Sequence, residues 1–294
     1  MLVPGRIFRP HTMPDALAER EYWDKHWESL ALPVAHDLEN STGVARAILR
    51  FFEGALARRP PKTVLEVGGA PGGYLAYFAR HYGSEIHAMD YSEAGCRKTE
   101  ENFRILGYPV TVHRCDLFAV EEGFPKFDLV YSLGLIEHFA DASAVVKAHR
   151  DLMKVDGTLI LGVPHFIRVF WPILSLLAPR ITHGHNYETV ALEGWPAFEK
   201  NLGLKPLRKS YTGGFSPALL AAVIGAERKL HGDRLWPLGE SIILAVRIAA
   251  ALRRRTGWIV PGRLAGALRI EGKGISSYCL AAYSAIQDDG IIHD

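Results

Sequence analysis

Two acids and a glycine-rich turn carry the first chemical signal in this chain of 294 residues. In Val64-Leu65-Glu66-Val67-Gly68-Gly69-Ala70-Pro71-Gly72-Gly73-Tyr74, a short apolar run passes a carboxylate, turns through glycines and opens into a helical pattern. Glycines at such a turn let the backbone take positive φ and let a ligand lie against the main chain. The helix behind the turn offers N–H groups without intrahelical partners. Asp90 follows Gly68 by 22 residues, close to the ~20-residue spacing at which a carboxylate meets a ribose diol in nucleotide-binding βαβ units. Asp116 follows the next apolar run and adds a further acid on the same expected sheet edge.

A second group lies in Phe127-Asp128-Leu129-Val130-Tyr131-Ser132-Leu133-Gly134-Leu135-Ile136-Glu137-His138-Phe139. There Glu137 and His138 follow an apolar run at the expected mouth of the cleft. His138 is a candidate base for a hydroxyl or amine nucleophile, because imidazole titrates near neutral pH. The competing reading packs His138 beneath the loop and has Glu137 cap the following helix. His165 stands at the same edge, either facing substrate or buried with a partner. His183 and His185 sit two apart in an expected loop, a spacing that invites a metal; with no acid or third histidine evidently partnered, no metal is assigned. Tyr22, Trp23 and Trp27 near the N-terminus form either an aromatic lid, whose ring faces attract positive charge, or a staple for the first helix.

The elements that must position these groups alternate. Residues 63–67, 85–89, 110–114, 127–132 and 157–163 read as strands, and 41–57, 74–81, 93–106 and 142–152 as helices. Two further strands are expected near 204–211 and 276–285. Such alternation predicts an α/β fold, a doubly wound (Rossmann-like), mostly parallel seven-stranded sheet with helical N-terminal and C-terminal cap additions. The division expected is a helical lid over 1–40 and a ligand-binding core over 41–165, completed by the two late strands. Helical segments over 166–203 and 212–275 would form a substrate cap or an oligomer contact.

Glu66-x-Gly68-x-x-x-Gly72 followed by Asp90 and Asp116 resembles the class I S-adenosylmethionine-dependent methyltransferases, over residues 41–165 and the final strand. The resemblance implies that S-adenosylmethionine is the cofactor. In that case Glu66 anchors the loop and faces the methionine amino group, while Gly68, Gly69 and Gly72 permit close approach. Asp90 takes the ribose hydroxyls with Tyr91 beside the adenine. Asp116 accepts from the adenine amino group and Leu117 stacks on the ring, while Ser132 or Leu133 touches the methionine part. Ala70 stands where the commonest loop of this family has glycine, and residues 69–73 are instead similar to the loop of RNA ribose methyltransferases. A nicotinamide dinucleotide fits less well, since Gly-Gly-Ala-Pro-Gly-Gly puts alanine at the second glycine of G-x-G-x-x-G and Glu66 would point charge at a phosphate. The string from Ser132 through Gly134, Glu137 and His138 to Phe139 also resembles the cyclopropane fatty-acid synthases, in which the matching glutamate helps hold a bicarbonate base.

Composition limits the partners. Hydrophobic residues at 48% and charged residues at 22% exclude disordered and collagen-like chains. Three scattered cysteines do not make a disulfide scaffold or a thiolate metal site. The opening MLVPGRIFRPHTMPD lacks an apolar signal core, and no run reaches the ~18 apolar residues of a membrane span, so a soluble, cytoplasmic protein is expected. The net charge of +2 conceals a basic segment, with 13 Lys and Arg against 4 acids over residues 205–275. That segment is either a set of solvated helix faces or a surface for an anionic acceptor, lipid headgroup or nucleic acid. Nucleic acid is disfavoured, since the lysine–aspartate–lysine–glutamate set and the Asn/Asp-Pro-Pro-aromatic signature are missing and only Arg253-Arg254-Arg255 forms a tight basic cluster. The apolar helix expected over 238–255 would pack on its own domain, on a second copy in a homodimer, or on a membrane surface. The reaction expected is in-line methyl transfer from S-adenosylmethionine to oxygen, nitrogen or carbon of a small or lipid-like anionic acceptor. RNA methylation and cyclopropane-synthase-like lipid alkylation are the alternatives.

Overall fold

The computed structural model describes residues 20–41, 43–165, 171, 174–175, 182–213 and 278–285. Its centre is a seven-stranded sheet in the order β3-β2-β1-β4-β5-β7-β6. The strands are β1 (Thr63–Val67), β2 (Glu85–Asp90), β3 (Thr111–Arg114), β4 (Phe127–Leu133), β5 (Met153–Pro164), β6 (Leu204–Thr212) and β7 (Tyr278–Ala285). The pairs among β1 to β5 are all parallel, and β7 runs antiparallel to both β5 and β6. The expected doubly wound sheet is the one found.

Burial on both faces explains the near-continuous apolar strands. Along β1, Val64 enters one buried cluster while Leu65 and Val67 enter the other, so successive residues serve opposite faces. Helix α2 (Gly43–Leu56) covers the Val64 side with Ile48, Leu49, Phe52 and Leu56. On the same side lies α3 (Leu75–Tyr82), which leads out of the glycine turn. Helix α4 (Glu93–Leu106) begins where the Ser92 hydroxyl accepts from the Gly95 N–H and stops at Gly107, a left-handed residue. Helix α5 (Ala142–Asp151) is capped in the same way by Asp141. Helix α1 (Arg20–Glu28) lies on α4, with Trp27 buried.

Two expectations change. β5 begins at Met153, four residues before the predicted 157, because the pairing with β4 shifts register between Phe127↔Met153 and Leu129↔Thr158 and the irregularity absorbs the polar residues between. The cap expected over 166–203 is, for its last part, core. Trp195 and Phe198, at the start of α6 (Pro196–Asn201), join the buried cluster of β4 and β5, and the Trp195 indole N–H donates to the Thr189 carbonyl at 2.8 Å. The helices expected over 217–231 and 238–255, with most of the basic segment and Arg253-Arg254-Arg255, lie outside the described residues, as does most of the helix expected over 166–177. No helix among the described residues is long and apolar enough to cross a membrane.

Candidate functional site

The chain leaves β1 for β2 on one side of the sheet and meets β4 on the other. That reversal opens a crevice at the carboxyl ends of the strands, where ligands bind in open α/β sheets. The crevice there encloses about 520 Å³ of space, part of it open to solvent. Val67 and Gly68 wall it from β1, Asp90 and Tyr91 from β2, and Trp23 and Trp27 from α1; Leu117, Gly134 and Leu135 close the remaining sides. No lysine or arginine is among the described residues lining it.

The glycine turn has two separate requirements. Gly68 takes a φ of 68°, which side chains resist, while its N–H donates to the Met89 carbonyl at 2.8 Å and ties the turn to β2. At Gly69 the constraint is space, since an added Cβ would lie 2.1 Å from the carboxyl carbon of Glu66. The turn is wrapped around that carboxylate. Gly72 also has positive φ.

Glu66 is buried, and its Oε2 closes no hydrogen bond. Burial drives its carboxyl up to about 8; the neighbouring Tyr131 hydroxyl opposes the shift without closing a bond of normal geometry, and the charge of Asp90 adds to it. Asp90 is buried as well. Its Oδ1 accepts from the Ser92 N–H at 2.8 Å, its Oδ2 has no partner, and burial raises it to about 7. Two desolvated carboxyls, each with an orphaned oxygen, thus stand beside a glycine cradle and an otherwise apolar cavity. Such a set fits a ligand that brings an ammonium group and a sugar diol, as S-adenosylmethionine does, and repels a pyrophosphate.

The remaining cofactor candidates fall at this edge in different ways. Tyr91 lines the cavity beneath the Arg20 guanidinium, 5.7 Å from its ring centroid. Asp116 is buried, with Oδ1 accepting from the Phe118 N–H at 2.9 Å, and this bond presents Leu117 to the cavity. Ser132 is buried and Leu133 half-buried, while the wall beyond them is made by Gly134 and Leu135. Met89, Cys115, Phe118 and Phe139 also line the cavity. Sequence reasoning missed these four, whose only signal is their place at or just beyond strand ends.

Of the lid candidates, Trp23 and Trp27 stack with centroids 5.6 Å apart and both face the cavity. Tyr22 stands edge-on to Trp23 and parallel to His26. The Ser92 hydroxyl donates to Asp24, fastening α1 to the start of α4. The helix that is stapled to α4 thus also walls the cavity.

The opposite corner is built on the short 3-10 turn Ile136–His138. Glu137 is 1% exposed, its Oε2 has no partner, and burial pushes it up to about 8. Asp141, rather than Glu137, caps the following helix, because Glu137 points into the interior. The His138 Nδ1 lies 2.8 Å from the Gly184 carbonyl oxygen, so Nδ1–H donates and Nε2 keeps its lone pair, 3.9 Å from Glu137 Oε1. Burial first, and His185 second, press the imidazole down to about 3, against the pull of the Gly184 carbonyl. It is the neutral form, and a weak base. The His138 ring meets Trp23 edge-on at 4.9 Å and His185 at 4.6 Å.

His185, offered by the sequence only as one of the His183–His185 pair in a loop, reaches this corner without His183. The Asn186 N–H donates to the Glu137 carbonyl at 2.6 Å, and its side-chain amide donates to the carbonyls of Phe139 and Ala140 at 3.1 and 3.0 Å. These bonds bring His185 against the Glu137-His138 pair. His165 is not brought there: it is buried, with Nδ1 2.7 Å from the Val190 carbonyl oxygen and its ring against Tyr211.

Comparison with known proteins bears on the fold and on the kind of domain. Residues 65–159 match a family model described as a methyltransferase domain. The ubiquinone biosynthesis O-methyltransferase of Caulobacter vibrioides is 27% identical over 149 residues, 48% of this chain. The chain spans little more than half of that relative's length, 57%. Among solved structures, a methyltransferase from Geobacter sulfurreducens in complex with S-adenosyl-L-homocysteine superimposes with a TM-score of 0.54 at 16% identity, over 90% of this chain and 98% of its own. The [4+2]-cyclase SpnF superimposes with a TM-score of 0.55 at 15% identity, over 93% and 97%. At such identities these two likenesses concern the fold alone.

Proposed function

We propose, for a chain that carries a class I S-adenosylmethionine-dependent methyltransferase domain, that it methylates a hydroxyl of a small, largely apolar molecule. The observation that carries the reading is the pair of orphaned carboxyl oxygens, Glu66 Oε2 and Asp90 Oδ2, beside the glycine cradle. S-adenosylmethionine supplies, when bound, a methyl group on a sulfonium already activated for displacement. The chain's own task is therefore alignment and exclusion of water. On this reading Asp90 Oδ2 takes the ribose hydroxyls and Glu66 the ammonium group, while Trp23 and Trp27 offer ring faces to the positive charge. The acceptor hydroxyl meets the Glu137–His138 corner. Oxygen is favoured by the O-methyltransferase named above, and a small acceptor by the aromatic walls. An RNA acceptor finds no cationic side chain among the described residues lining the cavity. A cytoplasmic setting suits Cys96, Cys115 and Cys279, all free thiols.

Calorimetry with S-adenosyl-L-homocysteine tests the cofactor half, and mass spectrometry of hydroxylated aromatic compounds incubated with S-adenosylmethionine tests the acceptor half. Binding that is lost in Asp90→Ala, together with a gain of one methylene on a hydroxyl, is the expected result. Absence of nucleoside binding, or identical affinity in Asp90→Ala, overturns it.

A further inference from the structure

We propose that Glu137, His138 and His185 form a binding site for a divalent cation of the zinc class, with an open position that takes the acceptor's oxygen. One ligand atom from each of the three lies within 4.8 Å of the other two. Donors about a metal at ~2.1 Å stand about 3.4 Å apart in a tetrahedral shell, so the set is about 1.4 Å from ligating distance. Two imidazoles and one carboxylate leave at least one coordination position open, the pattern of catalytic rather than structural zinc sites.

Three independent features support a site rather than a chance grouping. The Glu137 carboxyl is 1% exposed and its Oε2 has no hydrogen-bond partner, an arrangement that costs free energy unless something else neutralises it. His138 donates Nδ1–H to a main-chain carbonyl, Gly184, and turns the lone pair of Nε2 toward Glu137. This is how metal-bound histidines are commonly oriented and their tautomer fixed. The segment carrying His185 is fastened to the segment carrying the other two by the three Asn186 hydrogen bonds and the His138–Gly184 bond. Donors held by such backbone bonds need little ordering when an ion arrives.

The site's place gives it a use. A Cβ at Gly134, which lines the cavity, would lie 3.5 Å from Glu137 Oε1 and 3.6 Å from the Tyr278 hydroxyl. The cluster therefore borders the cavity. A cation there, partly neutralised by Glu137, would bind a hydroxyl oxygen and ease loss of its proton to water. That role rests on the hydroxyl-acceptor reading above; the binding of the ion does not.

The test uses the untagged full chain, stripped with a chelator and titrated with Co²⁺ as a spectroscopic stand-in for Zn²⁺. One equivalent should bind with d–d absorption in the visible, and Zn²⁺ should displace it. Losing a ligand in His185→Ala or Glu137→Gln should weaken Co²⁺ binding by more than the ~10–100-fold that loss of an outer-shell partner costs; His183→Ala, outside the set, should leave it unchanged. Each variant is checked for retained S-adenosyl-L-homocysteine affinity, which shows that it is folded. No cobalt spectrum, or a spectrum equally strong in both ligand variants, overturns the metal site. If the nucleoside binds but cobalt does not, the metal alone fails; if cobalt binds but the nucleoside does not, the cofactor assignment fails and the metal stands.

Discussion

The two ends of the crevice satisfy their acids by different means. At the β1–β2 end, Glu66 and Asp90 each keep one buried, unpartnered oxygen, Asp90 in the wall of a largely apolar cavity and Glu66 inside the glycine turn, a set that suits an organic cation bearing a sugar. At the β4 end, Glu137 faces two imidazoles at close range, held there by main-chain hydrogen bonds. One end is shaped for a molecule and the other for an atom. The difference teaches that burial of a carboxyl does not by itself say what will neutralise it; the neighbours at 3–5 Å do.

Asp90→Asn should break the first end with the largest effect. The orphaned Oδ2 would become a neutral amide or carbonyl, and hydrogen bonds to a charged group are worth about 1.5–3 kcal/mol, so calorimetry should show the affinity for S-adenosyl-L-homocysteine falling roughly 10- to 150-fold. Metal binding at the far end should be untouched. Equal loss at both ends would mean that the two are one cooperative unit.

Asn186→Ala breaks the other end selectively. It removes two donors to the carbonyls of Phe139 and Ala140, at a cost of about 1–3 kcal/mol in stability. His185 would then be held against Glu137 by two bonds instead of four, the Asn186 N–H to the Glu137 carbonyl and His138 to the Gly184 carbonyl. Turnover should fall about tenfold, the size of a positioning effect, with nucleoside affinity unchanged. A variant with normal turnover would show that the corner needs no fastening.

The same contrast explains what could be read from the sequence. The cofactor end is local: Gly68 ends β1, Asp90 ends β2, and one helix separates them, so apolar runs and glycine spacing placed both acids. The metal corner is assembled by tertiary hydrogen bonds between segments 46 residues apart in sequence, and nothing in the spacing of Glu137, His138 and His185 announces that. The burial of Trp195 was hidden for a similar reason, since a short helix beginning at proline gives no periodicity. Among the strands, β5 alone was markedly misjudged in length, because the irregularity after Met153 carries polar residues inside a ladder.

Trp23 touches both ends, lining the cavity and meeting the His138 ring at 4.9 Å. Trp23→Leu keeps apolar bulk but removes the aromatic face. A partly desolvated cation–π contact is worth about 0.5–2 kcal/mol, so affinity for the sulfonium cofactor should fall roughly 2- to 30-fold, while that for uncharged-sulfur S-adenosyl-L-homocysteine barely changes. Parallel loss for both ligands would assign Trp23 to packing instead.

The smallest effect sharpens the comparison through pH. In the folded chain Glu66 titrates at about 8 against an ordinary 4.5, and Asp90 at about 7 against 3.8. Between each pair of values the folded chain holds more protons than the unfolded one, so stability without ligand should fall as pH rises from about 4 to 8. A bound ammonium group reverses the preference, since it favours ionised Glu66, and nucleoside binding near neutral pH should release protons. The thermal shift given by S-adenosyl-L-homocysteine should therefore grow from pH 5.5 to 7.5, and calorimetry in buffers of different ionisation enthalpy should detect the released protons. In Glu66→Gln the slope between about 7 and 8 should vanish, while the Asp90 contribution below 7 persists. An unaltered slope in that variant would mean that Glu66 is already ionised in the free protein, and that a protein group rather than the ligand balances its charge.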